Sequence, residues 1–398
     1  MAPVLRFGIV GLGVASTQIL PHMAKHPYAK VTAACDVNRP HALEKFRREF
    51  GGETFESIED LCRSKNVDAV YICTANHLHK EHAIIAAEHK KHIIVEKPMA
   101  LSIEDCEAMN QAVEKNGIKL LCGHTHSFDP PIQKMREIVR SGELGKLRQI
   151  LTFFYNEFMY RPRMPQELDS AQGGNVVLNQ GPHQVDIVRL IGGGLVRSLR
   201  AMTGIWDEQR RAEGAWATYL EFEDGTPALM GYSGYGHFDT AELHFGIGEG
   251  GRPRDPETNL KARKNLQGVS QQEEAALKES MRYAGAREGE WLRGAKGDRP
   301  HQSFFGFTLV SCEKGDIRQS PNGLTIYGDS GKEEIPLPPA RTGREAEIDE
   351  LYRAVVEDRP VFHDGRWGEA TLEVVLAIME SARQRKEIFM SHQVPGPD

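Results

Sequence analysis

Residues 5–16 read LRFGIVGLGVAS. A short apolar run, Leu5–Val10, ends at Gly11-Leu12-Gly13, and a helical pattern over Ser16–Lys25 follows. Strand, glycine turn and helix in that order open a dinucleotide-binding βαβ unit. The glycines let the backbone approach a pyrophosphate, and the helix N-terminus offers unpaired N–H groups and partial positive charge. Gly11, Gly13, Val14 and Ala15 are the expected phosphate contacts. The third place of the fingerprint holds Ser16, small but neither glycine nor alanine.

Outward from this turn the alternation continues. Strand-like runs at Lys30–Cys35, Ala69–Cys73, His92–Val95 and Lys119–Cys122 are separated by helical patterns at Pro40–Phe50, His77–Glu88 and Ile103–Lys115. Strands alternating with helices predict a doubly wound, parallel α/β domain over residues 1–125. Asp36 ends the second strand, where a carboxylate accepts hydrogen bonds from the adenosine ribose and repels a 2′-phosphate. That favours NAD, while Arg39 close by leaves NADP open. Thr74, Asn76 and His79, after the third strand, suit contacts with a nicotinamide ribose or phosphate. Of His77, His79 and His82 only the last two share a helical face, and no cysteine or carboxylate stands at ligand spacing, so no metal is expected.

The fourth strand runs directly into a charged tripeptide, His92–Ala100 reading HIIVEKPMA. Pro98 ends the strand and biases Lys97 towards extended backbone. An ionic pair, Glu96 and Lys97, is thus expected at the carboxyl end of a sheet strand, where open α/β folds place their ligands. A lysine held there and partly desolvated exchanges protons near neutral pH. Taken alone, the same lysine also reads as an exposed residue after a strand.

From Leu147 the texture changes. Strand patterns at Leu147–Phe158, Leu195–Trp206, Ala215–Phe222, Ala228–Tyr232, Ala241–Ile247, Phe304–Cys312 and Leu324–Gly328 are interrupted by one helical pattern, Val176–Ile191, and two closing helices near Glu345–Val356 and Gly368–Lys386. This predicts a second, α+β domain over 126–398, built on a large, mostly antiparallel sheet. Residues 252–303 form a polar, charged insertion expected to carry one or two surface helices. Within 173–186, GGNVVLNQGPHQVD, a helix would set Asn179, His183 and Asp186 on one face, although Pro182 requires the helix to start or bend nearby. A histidine so presented shuttles protons, with Asp186 or a neighbour fixing its tautomer; the same pattern also describes a core histidine satisfied by Asp186.

Composition sets the outer limits. The chain has 398 residues and a formal net charge of -7, which argues against nucleic acid or an anionic membrane as the main partner. Its six cysteines show no paired spacing and read as reduced thiols of a cytoplasmic protein. The N-terminal run is broken by glycine and reads as a first strand, not a leader.

Together, GLG, EKP and GGN…NQGPHQVD resemble the glucose–fructose oxidoreductase / inositol dehydrogenase (Gfo/Idh/MocA) family over nearly the whole chain. The resemblance implies NAD as cofactor, with Glu96 and Lys97 beside it, Lys97 and His183 as catalytic residues, and Asn179 where the family usually has aspartate. It implies further that Asn179 orients a substrate hydroxyl. The segment Gly123-His124-Thr125-His126-Ser127-Phe128-Asp129-Pro130 has Ser127 where an arginine is frequent. The runs ELHFGIGEGG and HDGRWGEATLEVVLAIMESAR, with the insertion, resemble the dehydrogenases that oxidise the cis-4,5-dihydrodiol of phthalate to the catechol. A dicarboxylate diol calls for fixed cations, and Arg161, Arg163, His124 and His301 are the candidates. Two other readings stand beside this one: an NAD(P)-dependent sugar or inositol dehydrogenase, and a non-catalytic dinucleotide-binding regulator. A large sheet with an open face pairs readily with its copy, so a homodimer or homotetramer is expected.

Overall fold

The computed structural model of the protein describes residues 3–123, 125–288, 290, 299–338 and 342–396. The chain folds into two compact units.

The first unit holds a six-stranded sheet of β1 (Leu5–Val10), β2 (Ala29–Cys35), β3 (Glu53–Phe55), β4 (Ala69–Ile72), β5 (His92–Val95) and β6 (Leu120–Cys122). Their order is β3-β2-β1-β4-β5-β6, and every neighbouring pair is parallel. Burial on both faces explains the continuous apolar runs: Phe7, Ile9, Val70, Ile72, Ile93 and Ile94 are fully buried. Helices α1 (Val14–Met23), α2 (Pro40–Phe50), α3 (Ile58–Arg63), α4 (His79–Glu88) and α5 (Ile103–Asn116) connect the strands. The strand order reverses between β1 and β4, which makes their carboxyl ends the topological switch point where such sheets bind ligands.

The second unit carries α6 (Pro130–Ser141), β7 (Leu147–Tyr155), α7 (Val176–Gly192), β8 (Val196–Gly204), β9 (Ala215–Phe222), β10 (Pro227–Ser233), α8 (Thr258–Leu266) and most of the later strands: β11 (Phe307–Cys312), β12 (Gly315–Ser320), β13 (Gly323–Gly328), β14 (Gly331–Pro336) and, after α11 (Gly365–Gln384), β15 (Ile388–Phe389). Nine strands form one sheet in the order β14-β13-β12-β11-β7-β10-β9-β8-β15, antiparallel except for the β7–β10 pair. Helix α7 packs on β7 and β9. The α/β architecture expected from the sequence is therefore present: a parallel doubly wound sheet and a large, mostly antiparallel one.

Two expectations need correction. The units are not consecutive in the chain: 1–124, 276–293 and 342–372 form the first, whereas 125–275, 294–341 and 373–398 form the second. Part of the insertion and the helix α10 (Gly343–Val356) thus pack with the parallel sheet. The cause is specific pairing, for example Cys122 N–H donating to His363 O at 2.8 Å and Asn110 to the Glu369 carboxylate at 2.7 Å. Second, 241–247 is no strand. Its apolar alternation falls on a 3₁₀ turn, Thr240–Leu243, and Phe245 and Gly246 have φ of 64° and 67°, which ends any extended run. The helical pattern over Val176–Ile191 is present as α7, which starts six residues before Pro182 and continues past it, with Asn175 as N-cap accepting from Leu178 N at 2.8 Å. Among the described residues no helix is long and apolar enough to cross a membrane.

Candidate cofactor site and acid–base residues

At the end of β1 the chain must turn sharply into α1. Gly11 has φ of 92°, and a Cβ there would lie 2.9 Å from Thr74 Cγ2 and 3.2 Å from Cys73 O, so only glycine fits. Gly13 caps α1 without a side-chain bond, and Val14 and Ala15 form its first turn, leaving a dipole end suited to a pyrophosphate. Ser16 is fully buried and folds its hydroxyl onto Gly13 O at 2.8 Å. That lets a polar side chain take the place of the fingerprint's third glycine without opening the helix–sheet contact. Asp36 accepts from Leu12 N at 2.9 Å and from Asn38 N at 3.2 Å, which fixes its carboxylate beside the turn. A dinucleotide fits this cradle: small residues at the turn, donors at a helix end and a carboxylate at the end of β2.

The carboxyl ends of β4 and β5 hold the second group. Thr74 and Asn76 are half-buried. His79 is fully buried, its Nδ1 3.0 Å from Pro98 O and its Nε2 3.3 Å from Thr74 O, and burial lowers its pKa. It therefore braces the loop after β4 against the turn after β5. Lys97 is half-buried while its neighbours Glu96 and Pro98 are buried, and the Lys97–Pro98 bond is cis. The Glu96 carboxylate accepts from Tyr71 OH at 2.9 Å and from Arg344 Nη1 at 2.6 Å. Glu347 joins the same cluster, 3.1 Å from Tyr71 OH, and its burial raises the carboxyl to about 8. The sequence places Glu96 in an ionic pair with its neighbour; the structure gives it a strong partner 248 residues away in α10.

In the second unit α7 presents Asn179, half-buried, and His183, 8% exposed. The His183 ring packs edge-on against His126, with centroids 5.0 Å apart, and both rings lie against Phe305 at 5.0 and 4.7 Å. His126 Nδ1 is 2.6 Å from Asp129 Oδ2. A carboxylate at Nδ1 fixes the orientation and tautomer of the ring. Asp186, expected near His183, receives the hydroxyls of Thr125 and Ser127, each at 2.5 Å. His126 and Asp129 are absent from the sequence-based candidates. Their spacing just ahead of Pro130, which opens α6, is the only local signal for the pair.

Of the cations expected to meet substrate carboxylates, Arg161 and Arg163 have partners within the protein. Arg161 pairs with Glu157 at 2.8 Å and approaches Glu249 at 3.7 Å. Burial would raise Glu157, but Arg161 and Arg254 outweigh it and hold the carboxyl down at about 2. Arg163 stacks on Phe158 at 3.7 Å and donates to Phe158 O at 2.8 Å, and burial lowers its pKa to about 10. Both guanidinium groups thus have partners within the protein, as a largely desolvated cation requires. His301 is half-buried, its backbone tied to Gly251 O at 3.2 Å. His124 lies outside the described residues.

The first unit has the topology and the turn of an NAD-dependent oxidoreductase. Residues 5–124 match the model of the oxidoreductase family with an NAD-binding Rossmann fold, and 132–247 match the GFO/IDH/MocA C-terminal domain. The chain belongs to the Gfo/Idh/MocA oxidoreductase family. It is 36% identical to a 1-carboxy-3-chloro-3,4-dihydroxycyclohexa-1,5-diene dehydrogenase from Comamonas testosteroni, covering 95% of both chains. It is similar to the crystal structure of a protein from Bordetella bronchiseptica RB50 assigned as a dehydrogenase, with a TM-score of 0.91, 40% identity, and 97% of this chain and 100% of that one covered. A scyllo-inositol 2-dehydrogenase from Bacillus subtilis is 28% identical over 60% of this chain and 71% of its own.

Proposed function

We propose that this NAD-dependent oxidoreductase oxidises a carboxylated cis-dihydrodiol to a catechol, with 4,5-dihydro-4,5-dihydroxyphthalate as the first candidate substrate. The observation that carries the reading is the likeness, along 95% of both chains, to a dehydrogenase whose name specifies a carboxylated, ring-dihydroxylated cyclohexadiene. NAD supplies the hydride acceptor. Lys97 takes the proton of the hydroxyl being oxidised: it is half-buried on a turn fixed by Glu96 and His79, so its amine is positioned and partly desolvated. His183 serves as a second proton-handling group and Asn179 orients a hydroxyl, with the Asp129-bound His126 ring supporting His183. The hydroxy-ketone product tautomerises to the aromatic catechol, which draws the reaction towards NADH. The assembly is a homodimer or homotetramer, paired through the open face of the nine-stranded sheet.

NADH formation with the phthalate dihydrodiol, a monocarboxylated dihydrodiol, myo-inositol and glucose tests the reading. Turnover of a dihydrodiol well above both polyols is expected, and Lys97→Ala is expected to lower its kcat by about 10²- to 10⁴-fold. Preference for inositol or glucose transfers the protein to the sugar dehydrogenases. Tight NAD binding with no turnover of any of the four makes it a regulator, and an active Lys97→Ala variant removes the role given to Lys97.

A further inference from the structure

Residues 276–293 leave the insertion and group with the parallel sheet. After α9 (Gln271–Ser280) the chain makes a tight turn, with Gly285 N donating to Arg282 O and Arg287 N to Ser280 O, both at 2.8 Å. Tyr283 anchors this strap and is 2% exposed. Its backbone N–H donates to Gly13 O at 3.3 Å, so the strap touches the cofactor turn itself. Its hydroxyl donates to Glu49 at 2.6 Å, and Lys45 Nζ stands 4.3 Å over its ring, which ties it to α2.

Arg39 is caught in the same arrangement. Its Nη1 donates to Leu12 O, its Nη2 donates to Tyr283 O at 2.8 Å, and its Nε is 3.3 Å from Glu279 Oε1. The other oxygen of Glu279 is 3.0 Å from Arg282 Nη1. A single carboxylate from the insertion therefore ion-pairs with two guanidinium groups at the ribose end of the dinucleotide turn, where Arg39 also feels the charge of Asp36. NADP differs from NAD by a 2′-phosphate, and proteins that accept it offer that group an arginine near the end of β2. Arg39 has the right position, yet it is 7% exposed and turned inward onto two carbonyls and a carboxylate.

We infer that the strap over residues 276–288 is a cofactor-specificity element: Glu279 withdraws Arg39 and Arg282 from a 2′-phosphate and adds a second negative charge near Asp36, which holds the protein to NAD. Tyr283 takes a carbonyl of the turn and not one of its donors, so the strap covers the site's edge while the pyrophosphate donors stay with α1.

Equilibrium titration of the full chain with NAD⁺ and with NADP⁺ tests this without any second substrate, so its outcome is independent of the diol reading. The wild-type protein is expected to bind NAD⁺ the more tightly. Glu279→Ala is expected to tighten NADP⁺ by about tenfold while changing NAD⁺ little, since the carboxylate that opposes the phosphate is gone and both guanidinium groups lose it as an ion-pair partner. The gain should vanish in Glu279→Ala/Arg39→Ala and shrink in Glu279→Ala/Arg282→Ala. Glu279 is 44% exposed, so its loss leaves the core intact, and Glu279→Gln repeats the test with shape preserved. Equal wild-type affinity for the two cofactors overturns the proposal. So does a Glu279 variant with an unchanged affinity ratio, or one that weakens both cofactors alike.

Discussion

Glu347 is a carboxylic acid buried in a cluster already holding Glu96 and Arg344, and burial lifts it from its usual 4.5 to about 8. Its folded form prefers the proton, so the folded state binds more protons than the unfolded one between those values. Stability from this group is complete below its usual value and is lost as pH rises to about 8. Glu347→Gln, always neutral, is expected to flatten that fall, read as Tm against pH from acid to mildly alkaline buffer. An unchanged slope means the carboxyl ionises as it does in water. At this scale the readable part of the candidate site is what lies at or just past a strand end: Gly11 and Asp36 follow β1 and β2 directly, and Gly13 and Lys97 stand within three residues of one. Arg344, Glu279 and Tyr283 were not readable, because their partners lie hundreds of residues away and no local pattern records such a pairing. For Arg161 and Arg163 too, a sequence shows the charge and not the partners beside it.

Among the elements, those with strong apolar periods were legible: β1 and α2 occupy the expected residues, and α7 differs from its pattern by one residue. One long element also goes unread: α6, twelve residues with Ile132, Met135 and Ile138 buried; two others are polar or short. β14 is GKEEIP, an exposed edge strand, and β3 is a three-residue edge of the parallel sheet, so neither buries enough apolar surface to leave an alternation. The β1–α1 turn carries the sharpest element-scale prediction. Gly11→Ala forces a side chain into a left-handed backbone 2.9 Å from Thr74, and a cost of about 1–3 kcal/mol in stability is expected from chemical denaturation. NAD binding should fall with it, because the helix end moves. A variant with wild-type stability and NAD affinity would mean that the turn tolerates a side chain.

For the whole molecule, the exposed face of the nine-stranded sheet is the most conspicuous surface. Leu151, Phe153, Tyr155, Tyr219 and Leu229 line one shallow depression on it, and Tyr219 is 49% exposed. Apolar residues gathered on one sheet face suit a second copy of the chain. Tyr219→Asp with Leu229→Asp is expected to reduce the assembly to monomers in light scattering, and a wild-type protein that is itself monomeric removes the pairing. The return of distant segments to the first unit carries a different consequence, one of timing during synthesis. Glu96 meets Arg344, and Cys122 meets the backbone of His363, only after some 370 residues have been translated. The nascent nucleotide-binding half must wait, unfinished, while eight of the nine strands of the large sheet are made. A gene fragment ending at residue 125 is therefore expected to yield a chain that is degraded or aggregates, not an independent NAD-binding module.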